Sequence, residues 1–153
     1  MDSISREEAL AVLGSAPVAH IGVIEGGEPY VTPMSYVVDG ERVLFRTMAG
    51  RKLDGIRSNP VVCVEVSKYD NATGDWVSVI VRGTATETED DEIKTLTITK
   101  LLDKYREVVG SPLSPGGMQP MTAFPHVVVV SIDEISGMVS GRGWGHRTKP
   151  GRL

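Results

Sequence analysis

The chain has 153 residues, the size of one domain and enough to bury a core without staples. With 16 Lys and Arg against 20 Asp and Glu it carries a formal net charge of −4, which argues against a general nucleic-acid binder. One cysteine excludes an intramolecular disulfide framework, three histidines leave little material for a structural zinc site, and no apolar run reaches the roughly 18 residues of a membrane span.

The polar, acidic opening from Met1 to Leu10 lacks the apolar stretch of a signal peptide, so a cytoplasmic protein is expected. Ser5 to Leu13 reads as a short helix: Ser5 and Glu8 have capping-box spacing, Leu10, Val12 and Leu13 are apolar, and Pro17 ends it. Val18 to Ile24 is a strand, followed by a turn from Glu25 to Glu28 and a second strand from Tyr30 to Val38. Asp39 and Gly40 signal a two-residue type I′ hairpin, with Arg42 to Thr47 returning and Val43 and Phe45 on one face. Residues 18–47 therefore read as an antiparallel meander. A loop at Ala49 and Gly50 leads into a short helix from Arg51 to Ser58, with Leu53 and Ile56 inward and a stop at Asn59 and Pro60.

Val61 to Val66 is a Val-rich strand, Asn71 to Asp75 a loop, and Trp76 to Thr88 a long strand. Asp90 to Tyr105 is helical, with Ile93, Leu96, Leu101 and Leu102 as its apolar stripe. Gly110 to Pro125 is an irregular loop. His126 to Ile132 is the last clear strand, resuming from Gly137 to Ser140. About six strands with only short helices, joined mostly by hairpins, argue for a closed or nearly closed antiparallel barrel in a single domain, with a core over about 5–140 and a mobile tail at 141–153.

Four places could carry chemistry. At Thr47 to Asp54 a strand ends, Gly50 permits tight backbone geometry, and Arg51 and Lys52 open a helix whose free N–H groups and dipole favour a phosphate. In Tyr30 to Tyr36, Pro33 suits an edge strand or bulge and frees neighbouring backbone groups beside the hydroxyls of Thr32, Ser35 and Tyr36. Ser78 interrupts an apolar strand, and Trp76 either covers a planar ligand or caps the barrel. In the tail, Arg142, Trp144, His146 and Arg147 lie among glycines and could engage an anionic or aromatic ligand. His20, His126 and Cys63 read as structural residues. No nucleophile–base pair and no metal motif is visible, so no catalytic side chain is assigned.

The order of these motifs resembles the pyridoxamine 5′-phosphate oxidase-like, FMN-binding split-barrel family, in the small branch that includes nitroimidazole-resistance reductases. The residues that carry it are His20 to Val23, Pro29 to Tyr36, Leu44 to Thr47, Gly50 to Pro60, Val62 to Val66 and Val77 to Ala85, within roughly residues 5–140. The resemblance implies a mainly β fold, a six-stranded antiparallel split barrel with flanking helices. It also implies a homodimer with an FMN site in each groove between subunits. By that analogy Arg51 and Lys52 hold the phosphate, and Thr32, Pro33, Met34 and Ser35 lie along the isoalloxazine. Thr47 contacts the ribityl chain or phosphate, Ser78 approaches the ring from this subunit or its partner, and Trp144 with Arg142 closes the pocket. The implied function is an FMN-dependent oxidoreductase that takes electrons from a nicotinamide donor to a small oxidised substrate. Alternatives are a protein that binds or stores flavin, deazaflavin or haem without turnover, with His20 as the haem candidate, or a dimeric interaction protein with an empty groove. Gly143 to Leu153 does not align with the C-terminal segment of true pyridoxamine-phosphate oxidases, so oxidation of that compound is not implied.

Overall fold

The computed structural model describes residues 1–106 and 124–141. After the two-residue strand β1 (Asp2–Ser3) comes helix α1 (Arg6–Ser15), capped by Ser5 through both bonds of the capping box with Glu8. Strands β2 (Ala19–Glu25), β3 (Glu28–Met34), β4 (Val37–Asp39) and β5 (Arg42–Thr47) follow, then helix α2 (Arg51–Ser58). Strands β6 (Val61–Tyr69) and β7 (Trp76–Thr88), helix α3 (Asp91–Tyr105) and strand β8 (His126–Val139) complete the described chain.

All neighbouring strands are antiparallel, in the order β3-β2-β6-β7-β8-β5-β4, with β1 on β8. This corrects the expected meander. The segment splits into two hairpins, β2–β3 and β4–β5, at opposite ends of the sheet. In a flat sheet, six inter-strand steps of about 4.8 Å would set those ends about 29 Å apart. Yet β3 and β4 are joined only by Ser35 and Tyr36, and three Cα–Cα steps reach at most about 11 Å. The sheet must therefore curl until its two ends nearly meet. It is an antiparallel barrel split along one seam, where β3 and β4 do not pair. Eight strands form it rather than six, because the single strand expected over residues 30–38 is broken at Ser35 and the short β1 adds another.

Strand alternation fills the interior with aliphatic side chains. Ile21, Val64, Val66, Val77, Val79, Val81, Val128 and Val130 are fully buried, together with Phe45 and Tyr36. Each such side chain contributes roughly 1.5–3 kcal/mol by leaving water. Val43 and Phe45 share the inner face as expected, but Leu44 is buried too. Helix α3 covers the other side of the β4–β5 hairpin and packs Leu101 and Tyr105 against Leu44 and Val37. The expected stripe on α3 is corrected at Leu102, which is 40% exposed. The helical period instead aligns Ile93, Thr97, Leu101 and Tyr105, and the buried Thr97 hydroxyl donates to Ile93 O at 2.8 Å.

Two turns differ from expectation in detail. In β4–β5 the paired ends are Asp39 and Arg42, so the loop residues are Gly40 and Glu41. Only Gly40 has positive φ, at 60°, which fits a glycine-first type II′ turn rather than type I′. Strand β8 is continuous and does not resume after a gap; its irregularity is a register shift against β7 between Arg82 and Gly83.

The link across the seam is tightly held. The Tyr36 ring lies in the core, and its hydroxyl donates to Leu13 O in the last turn of α1. Its backbone N–H donates to the Tyr105 hydroxyl at 3.1 Å, and its carbonyl accepts from Lys104 at 3.0 Å. The Tyr105 hydroxyl lies 2.7 Å from Pro17 O, completing a clasp between α1, the β3–β4 link and α3. Burial raises the Tyr36 hydroxyl pKa, so it stays a neutral donor. Tyr36→Phe should orphan the Leu13 carbonyl and lower unfolding free energy by about 1–3 kcal/mol, read from denaturant midpoints.

Candidate functional site

Among the described residues strand β3 pairs with β2 alone, which leaves its other edge without a strand partner there. Seven unbroken pairs join the two strands, which makes Pro33 a regular edge residue rather than a bulge. Proline has no N–H, and it is accommodated where its nitrogen faces away from the neighbouring strand. Alternation then turns the backbone of Val31 the same way, toward the open edge. Thr32 lies opposite the core residue Ile21 and Met34 opposite Ala19, so both side chains face inward, while Val31 and Pro33 face outward. Met34 is buried and Ser35 is exposed beside the seam.

Helix α2 stands at the Tyr30 end of this edge. Leu53 and Ile56 bury its inner face as the sequence predicts. Its close approach depends on Gly55: a Cβ there would come within 2.8 Å of Val23 Cγ2 and 3.1 Å of Ile24 O. At the C-terminal end, Arg57 donates two hydrogen bonds to Glu87, at 2.9 and 3.1 Å, and His126 Nδ1 lies 2.7 Å from the same carboxylate.

The N-terminus of α2 has no side-chain cap, although Gly50 N-caps it. Gly50 is extended, and a Cβ placed there would meet nothing within 4 Å. The expectation of tight geometry at this glycine is corrected: the space over it is open. Lys52 is half-buried, with its ammonium 5.3 Å from the Phe45 ring centre and no carboxylate partner among the described residues. Burial lowers its pKa. Arg51 is differently placed. Its guanidinium lies 4.5 Å over the Tyr30 ring and donates through Nε and one terminal nitrogen to Glu25, at 3.2 and 3.1 Å. Thr47 is buried, and its hydroxyl donates to Met48 O at 3.1 Å.

Thr47, Arg51 and Lys52 thus gather around one helix start, while Thr32, Pro33, Met34 and Ser35 run along the free edge beside it. The strand rises about 14 Å from Tyr30 to Met34. Ser78 does not join them. It pairs with Ser67 and Met138 on the outer face of the sheet, and β7 is three strands from β3, about 14 Å away. Trp76 is half-buried at the start of β7, paired with Tyr69, and His20 faces outward with Nδ1 3.2 Å from Glu65. Arg142, Trp144, His146 and Arg147 lie outside the described residues. Sequence reading missed Glu25 and Tyr30 as partners of Arg51, which only the hairpin register brings within reach.

The chain is similar to known proteins in sequence and fold. The family model described as pyridoxamine 5′-phosphate oxidase matches residues 5–139. An uncharacterised protein of Rhizobium meliloti is 28% identical over 149 residues, covering 92% of this chain and 95% of its own. A FAD-binding protein from Mesorhizobium loti superposes with a TM-score of 0.72 at 26% identity, over 92% of this chain and 98% of that one. A structure described as a putative 5-nitroimidazole antibiotic resistance protein, from Bacteroides thetaiotaomicron, has a TM-score of 0.72 at 19% identity, covering 90% and 86%.

Two measurements check how α2 is anchored. Gly55→Ala should push the helix off β2 and lower the thermal midpoint, because the added methyl would press on the Ile24 carbonyl, backbone that cannot yield. Burial alone raises the Glu87 pKa, but the hydrogen bonds from Arg57 and His126 lower it below the usual carboxylate value. Its contribution is therefore present above that ordinary value and lost as pH falls through the lowered one. The stability gap between the wild type and Glu87→Gln should be widest near neutral pH and close on acidification, in denaturation series across pH.

Proposed function

The chain belongs to the pyridoxamine 5′-phosphate oxidase family, and on that premise we propose that it is an FMN-dependent oxidoreductase. The observation that carries this reading is the start of α2, with no side-chain cap and a half-buried Lys52 that has no carboxylate partner among the described residues, at one end of a strand edge that no described strand pairs. The donor set fits a flavin phosphate: backbone N–H groups at a helix start, the Lys52 ammonium, and the donor nitrogens of Arg51 not engaged by Glu25; Thr47 stands beside them with its hydroxyl proton already given to Met48 O. The Mesorhizobium loti protein, named for FAD binding, supports a flavin; FAD contains the same isoalloxazine, ribityl and first phosphate as FMN.

When bound, the flavin supplies hydride and electron transfer; the protein supplies binding, orientation and electrostatics. Lys52 and α2 fix the phosphate. The outward backbone of Val31 and the Pro33 carbonyl would offer hydrogen-bond partners to the isoalloxazine. Thr32, Met34 and Ser35 border that strip from the inner face and the seam. The electron donor is a nicotinamide and the acceptor a small oxidised compound.

A second copy of the chain completes the site in this reading. The outer face of β3, β2, β6 and β7 exposes Val31 at 64%, Val61 at 61% and Ile80 at 49%, with Ile24 beside them. A patch of this kind marks an association surface, and a twofold pairing brings Ser78, which lies on that face, toward the partner's groove.

Purified protein is expected to be yellow, to release FMN identifiable by mass, and to be bleached by NADH or NADPH. Arg51→Ala with Lys52→Ala should weaken FMN binding by about tenfold or more for each charged hydrogen bond lost, with the fold intact by circular dichroism. Protein that takes up no FMN defeats this reading. A flavin that neither nicotinamide reduces assigns binding or storage instead, and a Soret band abolished by His20→Ala assigns haem. Val61→Asp with Ile80→Asp should convert a dimer to a monomer by light scattering.

A further inference from the structure

The opposite end of β3 holds a second group of cations. Strand β6 places Val62, Val64 and Val66 inward, and Lys68 continues that inward phase, opposite the core residue Val77, at the mouth of the barrel. Its ammonium lies 2.6 Å from the Ser15 hydroxyl at the end of α1. Lys104 reaches the same mouth from the last turn of α3. Its ammonium sits 3.7 Å over the Tyr36 ring centre, 5.3 Å from the Tyr105 ring centre and 3.0 Å from Tyr36 O. Tyr36 in turn bonds to Leu13 on the same final turn of α1 as Ser15, so both ammonium groups flank one helix end.

Neither lysine has a carboxylate partner among the described residues, although the chain carries 20 Asp and Glu. Burial, and then the nearby charge of Lys68, bring the Lys104 pKa down to about 8. Burial lowers Lys68 as well, and it raises Tyr36 and Tyr105, so the tyrosines remain neutral donors. Among the described residues these two half-buried like charges are offset only by partial charges, the carbonyl end of α1, the Tyr36 carbonyl and the faces of two tyrosine rings, so a full negative charge joining them would be favourable.

We infer that Lys68 and Lys104, with the Ser15 hydroxyl, form a second anion site for a small oxyanion, a carboxylate or a phosphate, at the Ser35 end of β3. Anion binding there is independent of the flavin. Its meaning as the subsite for an anionic substrate beside the ring rests on the flavin reading above.

The test titrates full-length protein saturated with FMN, at low ionic strength, with malonate and separately with inorganic phosphate. FMN occupies the Lys52 end and leaves only the second site to respond. Saturable binding by calorimetry, with a raised thermal midpoint, is expected for at least one probe; the preferred probe distinguishes carboxylate from phosphate. Affinity should fall as pH rises through about 8, because the anion binds the protonated Lys104. Lys68→Gln or Lys104→Gln should weaken it by about tenfold or more, and Lys68→Arg should largely retain it. Should Lys104→Gln fail to fold, Lys68→Gln decides. If the protein takes up no FMN, the same titration is run on Lys52→Met, so the flavin reading fails separately. No saturable response to either probe, or an undiminished response in folded Lys68→Gln, overturns the inference.

Discussion

The two-residue link between β3 and β4 is the constraint on which the rest of the structure depends. It forces the ends of a seven-strand path within about 11 Å of each other, and so turns a sheet into a split barrel. Tyr36 clamps the link from three sides: ring in the core, hydroxyl on α1, backbone on Tyr105 and Lys104 of α3. The backbone N–H and carbonyl of Tyr36 are thereby satisfied by side chains of α3 rather than by a neighbouring strand.

The seam that the link creates leaves β3 unpaired on one side among the described residues. An unpaired edge is an aggregation hazard unless it is blunted or used. Pro33 blunts it by removing one donor. The two cationic groups stand at its ends, Lys52 with Arg51 at the hairpin end and Lys104 with Lys68 at the seam. They differ in character. Arg51 is already neutralised by Glu25, whereas Lys52, Lys68 and Lys104 are half-buried without carboxylates among the described residues. Although the chain has net charge −4, its described residues place no carboxylate on these three ammonium groups.

Face and register decide which other residues can take part. Thr32 and Ser78 both read as hydroxyls near a ligand, but one faces inward on β3 and the other outward on β7. Within one chain they cannot touch the same small molecule. The outer face that carries Ser78 also carries Val31, Val61 and Ile80, so its apolar exposure and its polar residue belong to one surface.

Much of the fold was legible along the chain because local signals are strong. The capping box at Ser5, the stop at Asn59 and Pro60, and the run from Trp76 to Thr88 mark elements that the structure reproduces within a residue or two. Arg51 and Lys52 were legible too, since a helix start needs only neighbouring residues to define it. What could not be read was strand order. The hairpins at Gly26 and Gly40 are local, but the separation of those hairpins to opposite ends of the sheet depends on β6, β7 and β8, which come later. For the same reason Glu25 beside Arg51, and Lys68 near Lys104, were invisible: they lie 26 and 36 positions apart in the chain and come together only through tertiary packing. Sequence alone determined the elements and the cationic helix start, because capping and side-chain periodicity act over a few residues. Tertiary structure alone decided which charges meet and which stay unpaired, because that depends on the pairing of strands distant along the chain.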